Sequence, residues 1–475
     1  MSKSLTIISF TISVFVGLLV LIAIVLLFFL DINAYKPRFE ATISDTLGMK
    51  VNIDGRLEIG LFPNLFVTLK DVHIRNRGTE VANAREARVG IDVFPLFQKE
   101  VRIKKIVVEH PSISIEKARD GKYNFEKSEE AEGPLPNLIL AKVSFSNGTL
   151  RYVGKQSGDG FEAGDCNLDM SRLQLSVKEH PGIMRNLSFA AELACGEVRT
   201  KDYTASDLKL SVTGQRGVFE LKPLTMRVFA GQGSGSMRAD FTGAVPLYDV
   251  RYSLSQFRIE EFLKNLSTQK TAEGPMDFSA DLSLQGETVN KLRRSMRGRI
   301  TLRGKNLILY GRDLDQEFAR FESSQTFNLV DLGALFFAGP VGLTVTKGYN
   351  FASILQGSEG RSEIRTLVSD WKVEGGAAQS QDVAMATDKN RVALQGGLDF
   401  VSERFDAVTV ALIDSQGCIR AQQTIHGAFK EPVVEKPSTL KSLTGPVVKL
   451  LKQVGRLFPG GECEVFYAGS VESPN

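Results

Sequence analysis

The chain has 475 residues, with 58 Lys and Arg against 55 Asp and Glu, a net charge of +3 and a hydrophobic fraction of 43%. That balance excludes wholesale disorder and a polytopic membrane protein, and it gives no electrostatic footprint for nucleic acid. With 43 Gly and 16 Pro, collagen-like and low-complexity architectures are excluded as well.

From Ser4 to Leu30 there is no charged residue. A helix rises ~1.5 Å per residue, so roughly 20 apolar residues cross a ~30 Å hydrocarbon core. A signal-peptide core runs only about 7–15 residues, and no small-x-small cleavage pattern precedes Asp31. Residues 1–30 are therefore expected to be a short cytoplasmic tail and an uncleaved membrane anchor, with residues 31–475 outside the cytosol. The four cysteines, Cys166, Cys195, Cys418 and Cys463, contain no C-x-x-C pair. Four cysteines allow three pairings. The sequential one, Cys166 with Cys195 and Cys418 with Cys463, keeps each bridge within one sequence neighbourhood, and buried free thiols are the alternative.

Past the anchor, Tyr35, Phe39, Ile43 and Leu47 recur at helical spacing, with Gly48 just beyond as a stop signal. The period then drops to two. Val51 and Ile53 share a face, as do Leu57 and Ile59, with Asp54-Gly55 expected as a hairpin turn between them. Alternation continues through Val67 and Leu69, Val89 and Ile91, Val101 and Ile103, and Ile113 and Ile115, and Asp120-Gly121 signals a further turn. Residues 31–125 form a first helix-plus-strand unit, and the acidic stretch 126–137 an exposed linker.

Residues 138–310 are expected as a central sheet, with Asn147-Gly148 predicting another hairpin. Leu208, Leu210 and Val212 alternate, as do Phe278, Ala280, Leu282 and Leu284. The run Gly231-Gln232-Gly233-Ser234-Gly235 lacks the Lys-Ser/Thr of a phosphate loop and predicts a glycine-rich turn. Within the last region, 311–475, Asp313 and Gln316 resemble a capping box ahead of Leu314, Phe318 and Phe321. A second amphipathic helix is expected with Val447, Leu451, Val454 and Phe458 on one face, suited to capping the sheet, meeting a partner or lying on a membrane. Turns every 8–14 residues point to a large meandering antiparallel sheet.

Catalytic chemistry has no visible seat. His73, His110, His180 and His426 are scattered, no G-x-S-x-G elbow occurs, and no metal or cofactor is implied. The cluster Lys291, Arg293, Arg294, Arg297 and Arg299 reads as a solvated face, with contact to anionic headgroups as the alternative.

In this frame the residues resemble the AsmA-like proteins. The resemblance runs through Tyr35-Lys36-Pro37, Gly48 with Val51, Ile53 and Gly55, and Leu61-Phe62-Pro63. It continues with Asp71-Val72, Ile74 and Asn76, Pro95-Leu96-Phe97, Pro111 with Ile113, and Asp120-Gly121 with Asn124. In the last third, Asp382-Val383-Ala384, Thr387, Asn390-Arg391, Gly396, Gly417-Cys418, Gly427 and Pro432 are similar to the family's C-terminal region.

The resemblance implies a mainly β protein: an N-terminal transmembrane helix, then a long curved antiparallel sheet shaped as a groove, with a few short helices. It implies a single-pass inner-membrane protein with its bulk in the periplasm, handling phospholipid for outer-membrane biogenesis. The groove candidates are Val51, Ile53, Val67, Leu69, Val89 and Ile91, which an ordinary closed core would use equally well. The competing function is a non-catalytic scaffold linking the inner membrane to an outer-membrane or periplasmic protein partner.

Overall fold

The computed structural model describes residues 32–60, 66–91, 103–126, 138–156, 158–175, 183–264, 270–324, 360–436, 438–439, 463 and 465–474. The expected anchor therefore lies outside the described residues, as does the helix expected around Val447, Leu451, Val454 and Phe458. Among the described residues no helix is long and apolar enough to cross a membrane. The chain is mainly β with few helices, and it divides into two compact units, Met1–Val177 and Lys178–Asn475.

In the first unit a short 3-10 turn leads into helix α1 (Lys36–Leu47), which ends where Gly48 adopts φ 65° and its N–H bonds to the Ser44 carbonyl. Strands β1 (Lys50–Ile53) and β2 (Leu57–Gly60) follow, then β3 (Phe66–Asn76), β4 (Thr79–Ile91) and β5 (Ile103–Lys117). Asp54-Gly55 is not the hairpin turn expected of it. Both β1 and β2 pair antiparallel with β3, Val51 opposite Ile74 and Leu57 opposite Leu69, so the two short strands run end to end along one neighbour. The Asp54 and Gly55 amides bond to the Asp71 and Lys70 carbonyls, and a Cβ on Gly55 would stand 2.5 Å from the Lys70 Cβ. Glycine is there for close approach of two backbones.

Strand β5 pairs in parallel with β6 (Leu138–Gly154), Val108 opposite Phe145, against the expectation of antiparallel pairing throughout. A parallel neighbour needs a crossover rather than a tight turn, and the two strands are 20 residues apart in the chain. The predicted hairpin at Asn147-Gly148 is absent, since β6 runs straight through it. Asn147 takes φ 52° at a register shift in the pairing with β7 (Gly160–Leu175), and its amide bonds to the Asn167 side chain at 3.1 Å. The left-handed conformation that a hairpin would use is absorbed by a bulge.

The second unit is a meander in which chain neighbours pair antiparallel. Its first strands are β8 (Leu187–Thr200), β9 (Thr204–Gln215), β10 (Val218–Val228), β11 (Gly231–Asp240) and β12 (Leu247–Arg258). The two-residue β13 (Ala272–Glu273) pairs with β15 (Arg297–Tyr310), while β14 (Pro275–Gln285) lies between β12 and β15. The series continues through β16 (Arg361–Glu374), β17 (Ala377–Ala386), β18 (Arg391–Asp399), β19 (Arg404–Ile413) and β20 (Ile419–Ala428) to the short β21 (Glu431–Val434). Helix α2 (Ile259–Leu263) sits between β12 and β13, α3 (Val289–Ser295) between β14 and β15, and α4 (Leu314–Ser324) after β15. The predicted cap of α4 is present: the Gln316 amide bonds to the Asp313 carboxylate at 3.0 Å.

Parts of strands β16–β19 are buried on both faces, because alternate residues there serve two different clusters. Val392, Leu394, Val410 and Leu412, at 2% exposure or less, join one core with Leu314 and Phe318 of α4 and Ile259 and Phe262 of α2. Between them Ala393 and Ala411 face the other way, with Ala384 and Ala386, against Tyr467 and Val471 of the C-terminal segment. Alanine at these positions leaves room for an extra strap of backbone. The strap is tied at its start by a disulfide from Cys463 to Cys418, with a Cα–Cα distance of 6.0 Å. Arg391 donates to the Val471 carbonyl at 2.9 Å and lies over the Tyr467 ring, whose hydroxyl donates to Asp382 at 2.5 Å.

Candidate functional site: an open apolar face

The six groove candidates fall in the first unit. Val51, Ile53, Val67 and Leu69 are buried at 4% exposure or less, in one cluster with Leu57, Val72 and Ala87. Phe39 and Ile43 of α1 pack on that cluster, together with Val89. At these positions the apolar face of the strands is roofed by the N-terminal helix, which is pinned by hydrogen bonds from the Val51 amide to Ser44 and the Ile53 amide to Glu40. Ile91 pairs with Ile103 along the backbone.

The second unit carries a different kind of surface. From β8 to β15 the register lines up apolar side chains strand after strand. Ala191, Val212, Leu221, Met237, Val250 and Leu282 stand opposite one another in one row. The next row holds Leu193, Leu210, Leu224, Gly235, Tyr252, Ala280 and Ile300. Side chains alternate faces along a strand, so in-register apolar residues build a continuous strip across the sheet.

Between its ends this strip is not sealed, although Ala191 and Ile300 at its two margins are buried at 7%, and Tyr252, Ala280 and Leu282 adjoin the core that contains Ile300. Val212, Leu221, Met237, Val250 and Leu282 are only half-buried, where Val410 and Leu412 of the same unit are at 1% and 0%. The polar face behind it is charged and exposed, with Arg238 paired to Glu220 at 2.9 Å and Arg251 to Asp281 at 3.2 Å. At one end the strip has an aromatic collar: Phe189, Phe219, Phe241 and Tyr248 succeed one another at ring-centroid spacings of 6.0, 5.7 and 5.9 Å. From β8 to β15 is six inter-strand steps, roughly 29 Å at ~4.8 Å each. One leaflet of acyl chain spans about half of a ~30 Å hydrocarbon core, so the strip is long enough to hold a lipid tail.

The Gly231–Gly235 run lies inside this surface. It is the start of β11 rather than the glycine-rich turn that its composition predicts. The glycines point into the apolar face, and larger neighbours take the space. A Cβ on Gly231 would meet the Phe257 Cα at 2.6 Å, and one on Gly233 would strike the Tyr252 hydroxyl and come within 3.1 Å of Met226 Cγ. The alternation at Leu208–Val212 and Phe278–Leu284 is readable in the sequence. Its continuation through β10–β12 is masked by these glycines and by the interruption at Lys222-Pro223, where the register of β10 shifts. In-phase glycines between apolar strands are the signal that could have found it.

The remaining predicted residues are dispersed. In the basic cluster, Lys291 pairs with Glu287 at 2.9 Å, Arg293 with Glu403 at 3.3 Å and Arg299 with Asp370 at 3.4 Å. His73 bonds to Glu80 at 2.7 Å, which holds the Glu80 carboxyl below its ordinary pKa with help from Asn83. Among the described residues no His, Cys, Asp and Glu come together in a metal-binding group. Cys166 and Cys195 are disulfide-bonded, like Cys418 and Cys463. Bridges of this kind persist in oxidising compartments.

No curated protein and no solved structure matches the chain. The AsmA family model matches it over residues 1–194 and 189–336. That match takes in well over half of the 475 residues, and the chain belongs to the AsmA family.

Proposed function

We propose that this protein shields phospholipid acyl chains on the open apolar face of β8–β15. In this reading it is held in the inner membrane by residues 4–30, with its bulk in the periplasm, and it contributes to lipid transport for outer-membrane biogenesis. The carrying observation is the half-buried, in-register strip, found in the same unit as a fully sealed core. Exposing an acyl chain to water costs ~0.8 kcal/mol per CH₂, so ~16 carbons cost roughly 13 kcal/mol. A strip whose strands repeat every ~4.8 Å offsets that cost at each position along its length, so a tail can advance without passing through water. The function is non-catalytic, and phospholipid and the membrane are its partners.

The test uses a photo-crosslinking amino acid placed in turn at three consecutive positions of β12 in the full-length protein in cells. At Val250, on the strip, irradiation yields phospholipid adducts. At Asp249 and Arg251, on the opposite face, it does not. Equal labelling at all three positions, or none at Val250, refutes the reading.

A further inference from the structure

Tyr252 stands apart on this face, and the role it is given rests on the lipid-shielding reading of the strip. From β9 to β15 the in-register side chains that form the strip are hydrocarbon, thioether or glycine, except for the phenols of Tyr248 and Tyr252. Tyr248 belongs to the aromatic collar at the strip's end. Tyr252 is interior: its neighbours in the row are Gly235 and Ala280, and Val250 and Leu254 flank it along β12.

Because both row neighbours are small, the Tyr252 ring lies low across β11, and its hydroxyl sits in the space that a Gly233 Cβ would take. The phenol is thus on the floor of the strip, with its hydroxyl still accessible from the open side. Among the described residues its hydroxyl has no hydrogen-bond partner. Burial, and after it the neighbouring Tyr203, push its pKa above the ordinary tyrosine value, so it is a protonated donor at any physiological pH. A pure hydrocarbon occupant would cover this O–H and leave it unsatisfied, which is unfavourable for any polar group removed from water. An occupant with a carbonyl among its alkyl chains would satisfy it.

We infer that Tyr252 is a specificity-determining residue that donates a hydrogen bond to the ester carbonyl of a glycerophospholipid bound along the strip. The protein then selects ester-linked lipids over otherwise identical ether-linked ones, independently of headgroup. The glycines of β11 have a role in this: they let the ring lie flat, so that the donor meets the glycerol–acyl junction without blocking the path of the tail.

The experiment loads the full-length protein from vesicles containing equal amounts of diacyl and dialkyl phosphatidylethanolamine of the same chain length, and counts bound species by native mass spectrometry. The wild-type protein should favour the diacyl lipid by about 2- to 12-fold, the range of one net hydrogen bond. Tyr252→Phe, which keeps the ring, should bind both equally with total occupancy preserved, while Tyr248→Phe should keep the preference. Equal loading of both lipids by the wild type, or a preference that survives in Tyr252→Phe, overturns the role of Tyr252 and leaves the strip as a lipid site. Absence of both lipids from the wild type overturns the lipid-shielding reading itself.

Discussion

The distinction between a sealed core and an open strip can be measured as a difference between two leucines. Leu412, fully buried in β19, and Leu221, half-buried in β10, belong to the same compact unit. Leu→Ala removes three carbons, worth roughly 2.4 kcal/mol of transfer free energy when fully buried. At Leu412 the vacated space is enclosed by Val392 and Ala421 across the strands and by the core beneath them. A residual cavity of ~60 Å³ there adds about 1.5 kcal/mol at ~24 cal/mol per Å³, for a total near 4 kcal/mol. At Leu221 no enclosed cavity forms, and part of the transfer term was never gained, which leaves about 1.5 kcal/mol.

Trp371, the single tryptophan of the chain and 3% exposed in β16, reports unfolding of this unit. With a urea slope of about 3 kcal/mol/M, the midpoint of the delipidated full-length protein should fall by ~1.3 M for Leu412→Ala and by ~0.5 M for Leu221→Ala. Equal shifts would mean that Leu221 is covered as Leu412 is, and the face would be half of a sandwich rather than a binding surface.

Two further outcomes concern other parts of the second unit. Tyr467→Phe removes the hydroxyl that donates to Asp382 at 2.5 Å and accepts from the Val471 amide at 3.0 Å. Leaving that amide unsatisfied costs about 1–3 kcal/mol, so hydrogen exchange at Val471 should accelerate roughly 5- to 150-fold, and an unchanged rate would show that the strap is held by other contacts. Glu260 has a lowered pKa: burial acts to raise it, but the Gly274 amide at 3.0 Å and Arg258 at 2.7 Å outweigh burial. A depressed carboxylate contributes stability above its unfolded pKa of about 4.5 and loses it as pH falls through the lower folded value. Glu260→Gln should therefore reduce stability at pH 7 and flatten the decline below about pH 4.5, as measured by urea midpoints across pH; an unaltered slope would exclude Glu260 as a contributor.

Much of the local structure is legible in the sequence because it depends on neighbours along the chain. Phe39 and Ile43 mark the buried side of α1, Asp313 and Gln316 cap α4, and the period of two marks the strands. The features that are not legible depend on partners far along the chain. Asn147-Gly148 and Asp54-Gly55 carry the composition of a hairpin, but the same backbone freedom serves a bulge in one case and a close approach in the other, and only the neighbouring strand decides. The parallel pairing of β5 and β6 is invisible for the same reason. Val250 and Val410 look alike in an alternating strand; one lies on an open strip and the other under α2, α4 and the remainder of the core. Burial is a property of what arrives on top, which explains why Val51, Ile53, Val67 and Leu69 are as plausible for a groove in sequence as they are secure in a core in the structure.

The meander has a consequence for how such a protein changes size. From β8 to β12, and from β14 to β20, every strand takes its hydrogen-bonding neighbour from the adjacent stretch of chain. An inserted hairpin would therefore find its partners on either side without displacing any existing pair. Each such insertion lengthens the apolar strip by about 10 Å, two strand spacings. The reach of the sheet is thus open to change by duplication of a simple unit, while the section at β16–β20, closed by α2 and α4, adjoins β15.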